Sequence, residues 1–168
     1  MDCTALFEIQ LNEGLSDIGG RTFENCKKIK CLVIPESVKL ISGFAFSDCK
    51  GLTSIVFQGK THIVGESVFD CCSALTEITI PSGVVEIGPQ WFSNCKKLKK
   101  ITLPNTLERI NRYAFAHCAK LAKIIIPDSV TEIDSCAFNF CEEITICATS
   151  GSYAEQYAKD NNIKFEAI

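Results

Sequence analysis

Residues 75–104 read "LTEITIPSGVVEIGPQWFSNCKKLKKITLP". The pattern Leu75-x-x-Ile78-x-Ile80-Pro81 returns 23 residues later as Leu98-x-x-Ile101-x-Leu103-Pro104. Before each proline, aliphatic and polar residues alternate at period 2, which predicts a short β-strand with one face turned inward. Proline has no N–H to donate and stops the ladder there.

The same spacing runs through the chain. Phe occurs at 23, 46, 69, 92, 115 and 138, and Cys at 3, 26, 49, 72, 95, 118 and 141. Three strand registers keep step: Leu6 to Ile144, Ile9 to Ile124 and Leu11 to Ile126. Pro35, Pro81, Pro104 and Pro127 share one register, with Asn12 and Gln58 as exceptions. Two more apolar registers follow, one of Leu15, Val38, Val84, Leu107 and Val130 broken by Thr61, the other of Ile18, Ile41, Val64, Ile87, Ile110 and Ile133. One unit therefore reads L-x-x-I-x-I-P-x-x-V-x-x-I-x-x-x-A-F-x-x-C-x-x. It cannot bury its own apolar face, so it must stack on its neighbours as a solenoid. The V-x-x-I segment is expected to return as a second short strand. A-F-x-x-C is expected to form a tight helical or 3₁₀ turn with Phe plugging the core. Seven parallel, in-register strands would span roughly 30 Å.

With Pro after the strand and A-F-x-x-C in the turn, the unit resembles the leucine-rich repeat, specifically its BspA-like subclass, over almost the whole chain. The resemblance implies a repeat solenoid, mainly β with short helical or 3₁₀ turns, carrying a parallel in-register sheet. It also implies a non-enzymatic protein-binding or adhesion module, at the cell surface or secreted, whose partner is a host or extracellular protein. The second function expected of such an array is a structural spacer or stalk in a longer surface protein, with no ligand of its own.

Residues 1–150 form the array, about six to seven units, and 151–168 a C-terminal cap. In "GSYAEQYAKDNNIKFEAI" Ser152 is a suitable N-cap. Tyr153, Ala154, Tyr157 and Ala158 make an apolar helical stripe, Asn161 and Asn162 end it, and Ile163, Phe165 and Ala167 alternate as a last strand. The start has no such element. Met1-Asp2 lead straight into the Cys3 register, as if the array were cut from a longer one, and the open edge at strand 6–11 invites self-association.

The net charge of −3 and sequence pI near 5.4 supply no overall attraction to nucleic acid or anionic membrane. No apolar run approaches the ~20 residues of a membrane span, so no membrane insertion is expected. "MDCTALFEIQ" has neither the basic n-region nor the apolar stretch of a signal peptide.

Eleven cysteines are many for a chain of this length. Cys3, Cys26, Cys49, Cys72, Cys95, Cys118 and Cys141 fall in one register beside the Phe plug and are expected as a structural column of buried thiols with weak S–H bonds to turn backbone. Four lie off it. Cys31 and Cys71 share registers with polar residues and are expected to be the accessible thiols, while Cys136 and Cys147 lie near the end of the array. Zinc needs paired knuckles converging on one point. In Cys26/Cys31 and Cys136/Cys141 one member belongs to the column and the other points elsewhere, so no metal or cofactor is expected. His117 beside Cys118 suggests a reactive pair, but the repeat separates them into a surface register and a core register. His62 lies in another repeat, and no catalytic set can be assembled.

The candidate binding residues face outward on the strands. One column is Glu8, Cys31, Ser54, Glu77, Lys100 and Lys123. The other is Gln10, Val33, Val56, Thr79, Thr102 and Ile125, a β-branched ladder. The resemblance implies partner binding on this face. β-branched residues also simply stabilise exposed strands. Lys96, Lys97, Lys99, Lys100, Lys120 and Lys123 form a local basic cluster, without the interleaved aromatics of a nucleic-acid site.

Overall fold

The protein, seen in a computed structural model, is described over residues 9–168. Cys3, Leu6 and Glu8 lie outside the described residues, as does the first half of the expected strand at 6–11; Ile9 and Leu11 are half-buried against the core with no strand pairing. In chain order the elements are β1 (Asp17–Ile18), β2 (Cys31–Ile34), β3 (Leu40–Ile41), β4 (Ser54–Phe57), β5 (His62–Ile63), β6 (Glu77–Thr79), β7 (Glu86–Ile87), β8 (Lys100–Thr102), β9 (Arg109–Ile110), β10 (Lys123–Ile125), β11 (Glu132–Ile133), β12 (Thr145–Ala148), α1 (Tyr153–Asp160) and β13 (Lys164–Ala167). The chain winds as a parallel β-solenoid. The even-numbered strands form one side, the two-residue odd strands β1 to β11 the return side, and the Phe–Cys turns the third.

On the even side Leu32, Ile55, Ile78, Ile101, Ile124 and Ile146 point inward and are buried. The ladder is interrupted into β2–β4, β6–β8 and β10–β12–β13. Pairing follows the repeat from Cys31↔Ser54 to Glu77↔Lys100. It then shortens by one residue at Lys123↔Thr145. Pro35, Pro81, Pro104 and Pro127 do more than end a strand. Each carbonyl accepts the N–H three residues on, from Val38, Val84, Leu107 and Val130 at 3.0–3.1 Å, closing a turn that delivers a buried aliphatic.

The third copy departs from the template. Between β4 and β5 lie residues 58–61, one fewer than the 35–39 between β2 and β3. Leu40 consequently pairs with His62 and Ile41 with Ile63. Ile63, not Val64, enters the core, and Val64 is 45% exposed. Gly65 at φ +85° is the added residue that restores the period. The deletion and the insertion cancel, so the sequence spacing stays regular while Val64 is turned out. Thr61, where the apolar register breaks, is fully buried and donates from Oγ1 to Val38 O at 3.1 Å. The return ladder splits there into β1–β3–β5 and β7–β9–β11. Trp91 fills the junction: it is fully buried and its Nε1 donates to Gly65 O at 2.7 Å.

The A-F-x-x-C segment is not a helical or 3₁₀ turn but a run of β-turns bonded to the next repeat. Phe46 N donates to Val68 O, Phe69 N to Trp91 O and Phe92 N to Ala114 O, each at 2.8–2.9 Å. Two positions per turn adopt left-handed backbone: Arg21, Phe44, Ser67, Gln90 and Tyr113, then Asn25, Asp48, Cys71, Asn94, His117 and Phe140, at φ 55–62°. No β-branched residue stands at any of them, because that conformation crowds a branched Cβ. The six phenyl rings from Phe23 to Phe138 stack at 5.2–5.5 Å between centroids.

At the C-terminal end Ser152 Oγ accepts from Glu155 N and caps α1. The helix buries Ala154, Tyr157 and Ala158, but Tyr153 of the expected stripe is 44% exposed. Tyr157 leans on Phe138 at 6.2 Å and donates its hydroxyl to Asp134 O at 3.1 Å. β13 pairs in parallel with β12, Ile146 opposite Phe165, and covers its edge.

Candidate binding face

Alternation along the even strands puts the candidate residues outside. Val33, Val56 and Ile125 are 49%, 54% and 60% exposed. Gln10, Cys31, Glu77, Thr79, Lys100, Thr102 and Lys123 are exposed, and Ser54 is half-buried. Glu8 lies outside the described residues. A shallow groove of about 550 Å³ runs over β4, β6 and β8 and brings six of the candidates together: Ser54, Val56, Glu77, Thr79, Lys100 and Thr102. Gly59, Pro81, Ser82 and Pro104 of the following loops form its rim. A second groove of about 640 Å³ gathers Gln10, Cys31 and Val33 with Lys30, Pro35 and Gln58. Ile125 belongs to neither and borders Pro127 and Ile168. Lys123 is also separate, held by an ion pair to Glu166 of β13 at 2.5 Å, which raises its pKa through the hydrogen bond and charge of that carboxylate.

The thiols divide by environment. Cys49, Cys72, Cys95, Cys118 and Cys141 are buried and donate to Phe23, Phe46, Phe69, Phe92 and Phe115 carbonyls of the preceding repeat at 3.0–3.2 Å. Each of those carbonyls also accepts the N–H three residues on, so the thiol uses the second lone pair. That explains a small donor side chain in this register. Burial pushes the Cys72, Cys95 and Cys118 thiols well above the ordinary 9.0. Cys31 is exposed, and hydrogen bonds with the Ser54 and Thr53 hydroxyls lower its pKa. Cys71 is not equally accessible. It is partly buried, and desolvation followed by the charges of Asp70 and Asp48 pushes it up to about 11. Cys136 is half-buried and Cys147 buried.

His117 is exposed and stacks on Phe140 at 4.3 Å with the rings 3° from parallel. Cys118 beside it points into the core and donates to Phe92 O. Arg21 likewise covers the Phe44 ring at 4.1 Å. These outer stacks, and the exposed Val64 and Val85, escaped sequence reasoning. The signal available was the absence of β-branched residues from the two left-handed registers. Among the described residues no group of three or more His, Cys, Asp or Glu could hold a metal ion, and no helix is long and apolar enough to cross a membrane.

The solenoid matches known proteins. No curated protein matches the chain. A leucine rich cell surface protein from Faecalibacterium prausnitzii A2-165 is 29% identical, with a TM-score of 0.60 over 85% of this chain and 46% of that one. A leucine-rich repeat protein from Eubacterium ventriosum ATCC 27560 is 33% identical, with a TM-score of 0.74 over 80% of this chain and 37% of that one. This chain thus spans less than half the length of either relative. The model of the BspA type leucine rich repeat region matches in six copies over residues 1–99 and 62–162. With a match over nearly its whole length, the chain belongs to the BspA-type leucine-rich repeat family.

Proposed function

We propose that this chain is a non-enzymatic recognition module of a surface protein and that it binds a protein partner, in an adhesion-type role, on the outer face of its even strands. The observation that carries this reading is the groove over β4, β6 and β8. Its floor exposes Val56 beside Thr79 and Thr102, and proline-containing loops rim it. An apolar floor with a few polar groups at its margin suits a protein ligand. The likeness to a cell surface protein supports the location, and the leucine-rich repeat family is generally protein-binding or surface-associated.

The test is capture of surface and extracellular proteins by the immobilised chain, run beside the triple variant Val33→Lys, Thr79→Lys, Ile125→Lys. All three positions are exposed, so the variant should keep the wild-type unfolding midpoint. Partners retained by the native chain and lost by the variant are the expected result. Equal retention by both removes the strand face from the reading. No retention by either favours the passive spacer.

A further inference from the structure

The positive charge of this acidic protein is gathered on one edge. Most of the chain's 17 Lys and Arg residues stand in the five positions after each column Cys, between the turn and the start of the even strand. The densest group is the KKLKK segment, residues 96–100, with Lys120 in the next repeat. Lys96, Lys97, Lys99, Lys100 and Lys120 are all exposed. None of these five is in an ion pair among the described residues, whereas Lys50 and Lys123, for example, are. Their backbone is held. Lys96 N donates to Asn94 O at 2.8 Å, and Lys99 N and Lys100 N share Thr76 O at 2.8 and 3.4 Å. The charges are therefore presented from a bonded scaffold, with Glu77 opposite Lys100 as the neighbouring carboxylate on the adjacent strand.

Lys100 belongs to both features, because it lines the groove whose floor is Val56, Thr79 and Thr102. On the proposed binding face, then, an aliphatic floor and a lysine edge meet at one residue. We propose that the partner segment is an extended protein strand bearing carboxylates toward Lys96, Lys97, Lys99 and Lys100 and aliphatic side chains toward the groove. This rests on the strand-face reading above. An anionic polysaccharide would satisfy the lysines but has no aliphatic groups to displace water from Val56. A nucleic acid would need stacking side chains among the lysines, and segments 96–100 and 119–123 contain no aromatic residue.

The test is selection of displayed random 12-residue peptides on the full chain. Two variants accompany it: Val56→Lys in the floor, and Lys96→Glu, Lys97→Glu, Lys99→Glu, Lys100→Glu on the edge. Every changed position is exposed, and thermal unfolding verifies that both variants remain folded. The selected peptides are expected to be rich in Asp and Glu alternating with Val, Ile or Leu. The edge variant should weaken them at least tenfold, the floor variant should abolish them, and raising salt from 50 to 500 mM should weaken them. Peptides lost with Val56→Lys but lacking acidic enrichment, and unchanged by the edge variant, overturn this proposal while the strand-face reading stands. Acidic peptides insensitive to Val56→Lys and displaced by heparin show a general polyanion edge and overturn it too. If no selected peptide is affected by either variant, or none is selected, both readings fall.

Discussion

The solenoid has two flanks that treat the same repeat differently. On the turn flank the rings from Phe23 to Phe138 stack without interruption, and five successive thiols bond the preceding turn. On the return flank the ladder of two-residue strands slips by one residue at Ile63 and breaks after β5. The difference follows from what each rung holds. A phenyl ring displaced by one residue would leave a void of aromatic size and lose two stacking partners, each worth about 0.5–1.5 kcal/mol beyond its burial. A return rung buries a single aliphatic side chain, and Ile63 replaces Val64 with little change in volume. The slip is therefore absorbed where the rung is shortest, with Gly65 and Trp91 closing the gap.

The flanks should respond differently to alkali. Cys72, Cys95 and Cys118 keep their protons in the folded state well above pH 9, whereas the unfolded chain releases them near 9.0. Their folded pKa is raised, so stability is intact below pH 9 and falls as pH rises through the window above it. Each such thiol costs up to about 1.4 kcal/mol per pH unit once the unfolded thiol has ionised, for as long as the folded one keeps its proton. Urea unfolding under reducing conditions measures this, and a flat profile over that window contradicts the burial of the column.

Phe92→Ala, in the middle of the stack, is expected to cost about 3–5 kcal/mol; a loss below 1 kcal/mol in chemical denaturation would mean the stack is not the core.

The slipped junction offers the next largest effect. A Cβ on Gly88 would stand 2.2 Å from Trp91 Nε1 and 2.4 Å from Gly65 O, whereas one on Gly151 meets nothing within 4 Å. Gly88→Ala should lose about 2 kcal/mol or more through overpacking and shift the Trp91 emission, while Gly151→Ala loses only the cost of its positive φ, about 1 kcal/mol. Equal losses would separate Trp91 from the slip.

Cys95→Ala should cost about 1 kcal/mol for the lost bond to Phe69 O and make the alkaline slope shallower. Smallest is Cys71→Asn. At φ 59° this position matches Asn25 and Asn94, and Asn relieves the left-handed strain for a gain of about 0.5 kcal/mol in unfolding free energy.

Much of the fold was legible because a solenoid repeats its physics along with its letters. Periodic Ile and Leu at alternate positions mark inward strand faces, and Phe and Cys in fixed registers mark turns that must superpose. The left-handed residues were legible only by omission, in registers from which Val, Ile and Thr are missing. Tyr153 was misplaced because the helical stripe specifies an angle around α1, while contact with Phe138 selects Tyr157 as the capping aromatic. The groove could be anticipated as a face but not as a shape, since its rim comes from loops after the strands.

The sequence alone determined the repeat, the handover from strand to turn and the column of thiols, because each of these follows from local periodicity and side-chain size. Only the tertiary structure decided that Val64 is outside and Ile63 inside. A deletion and an insertion that cancel leave no mark on spacing, and they are resolved only when neighbouring coils compete for the same core volume. It likewise decided that Lys100 stands where an aliphatic floor meets a basic edge. That meeting depends on three coils packed side by side, which no single unit of the repeat contains.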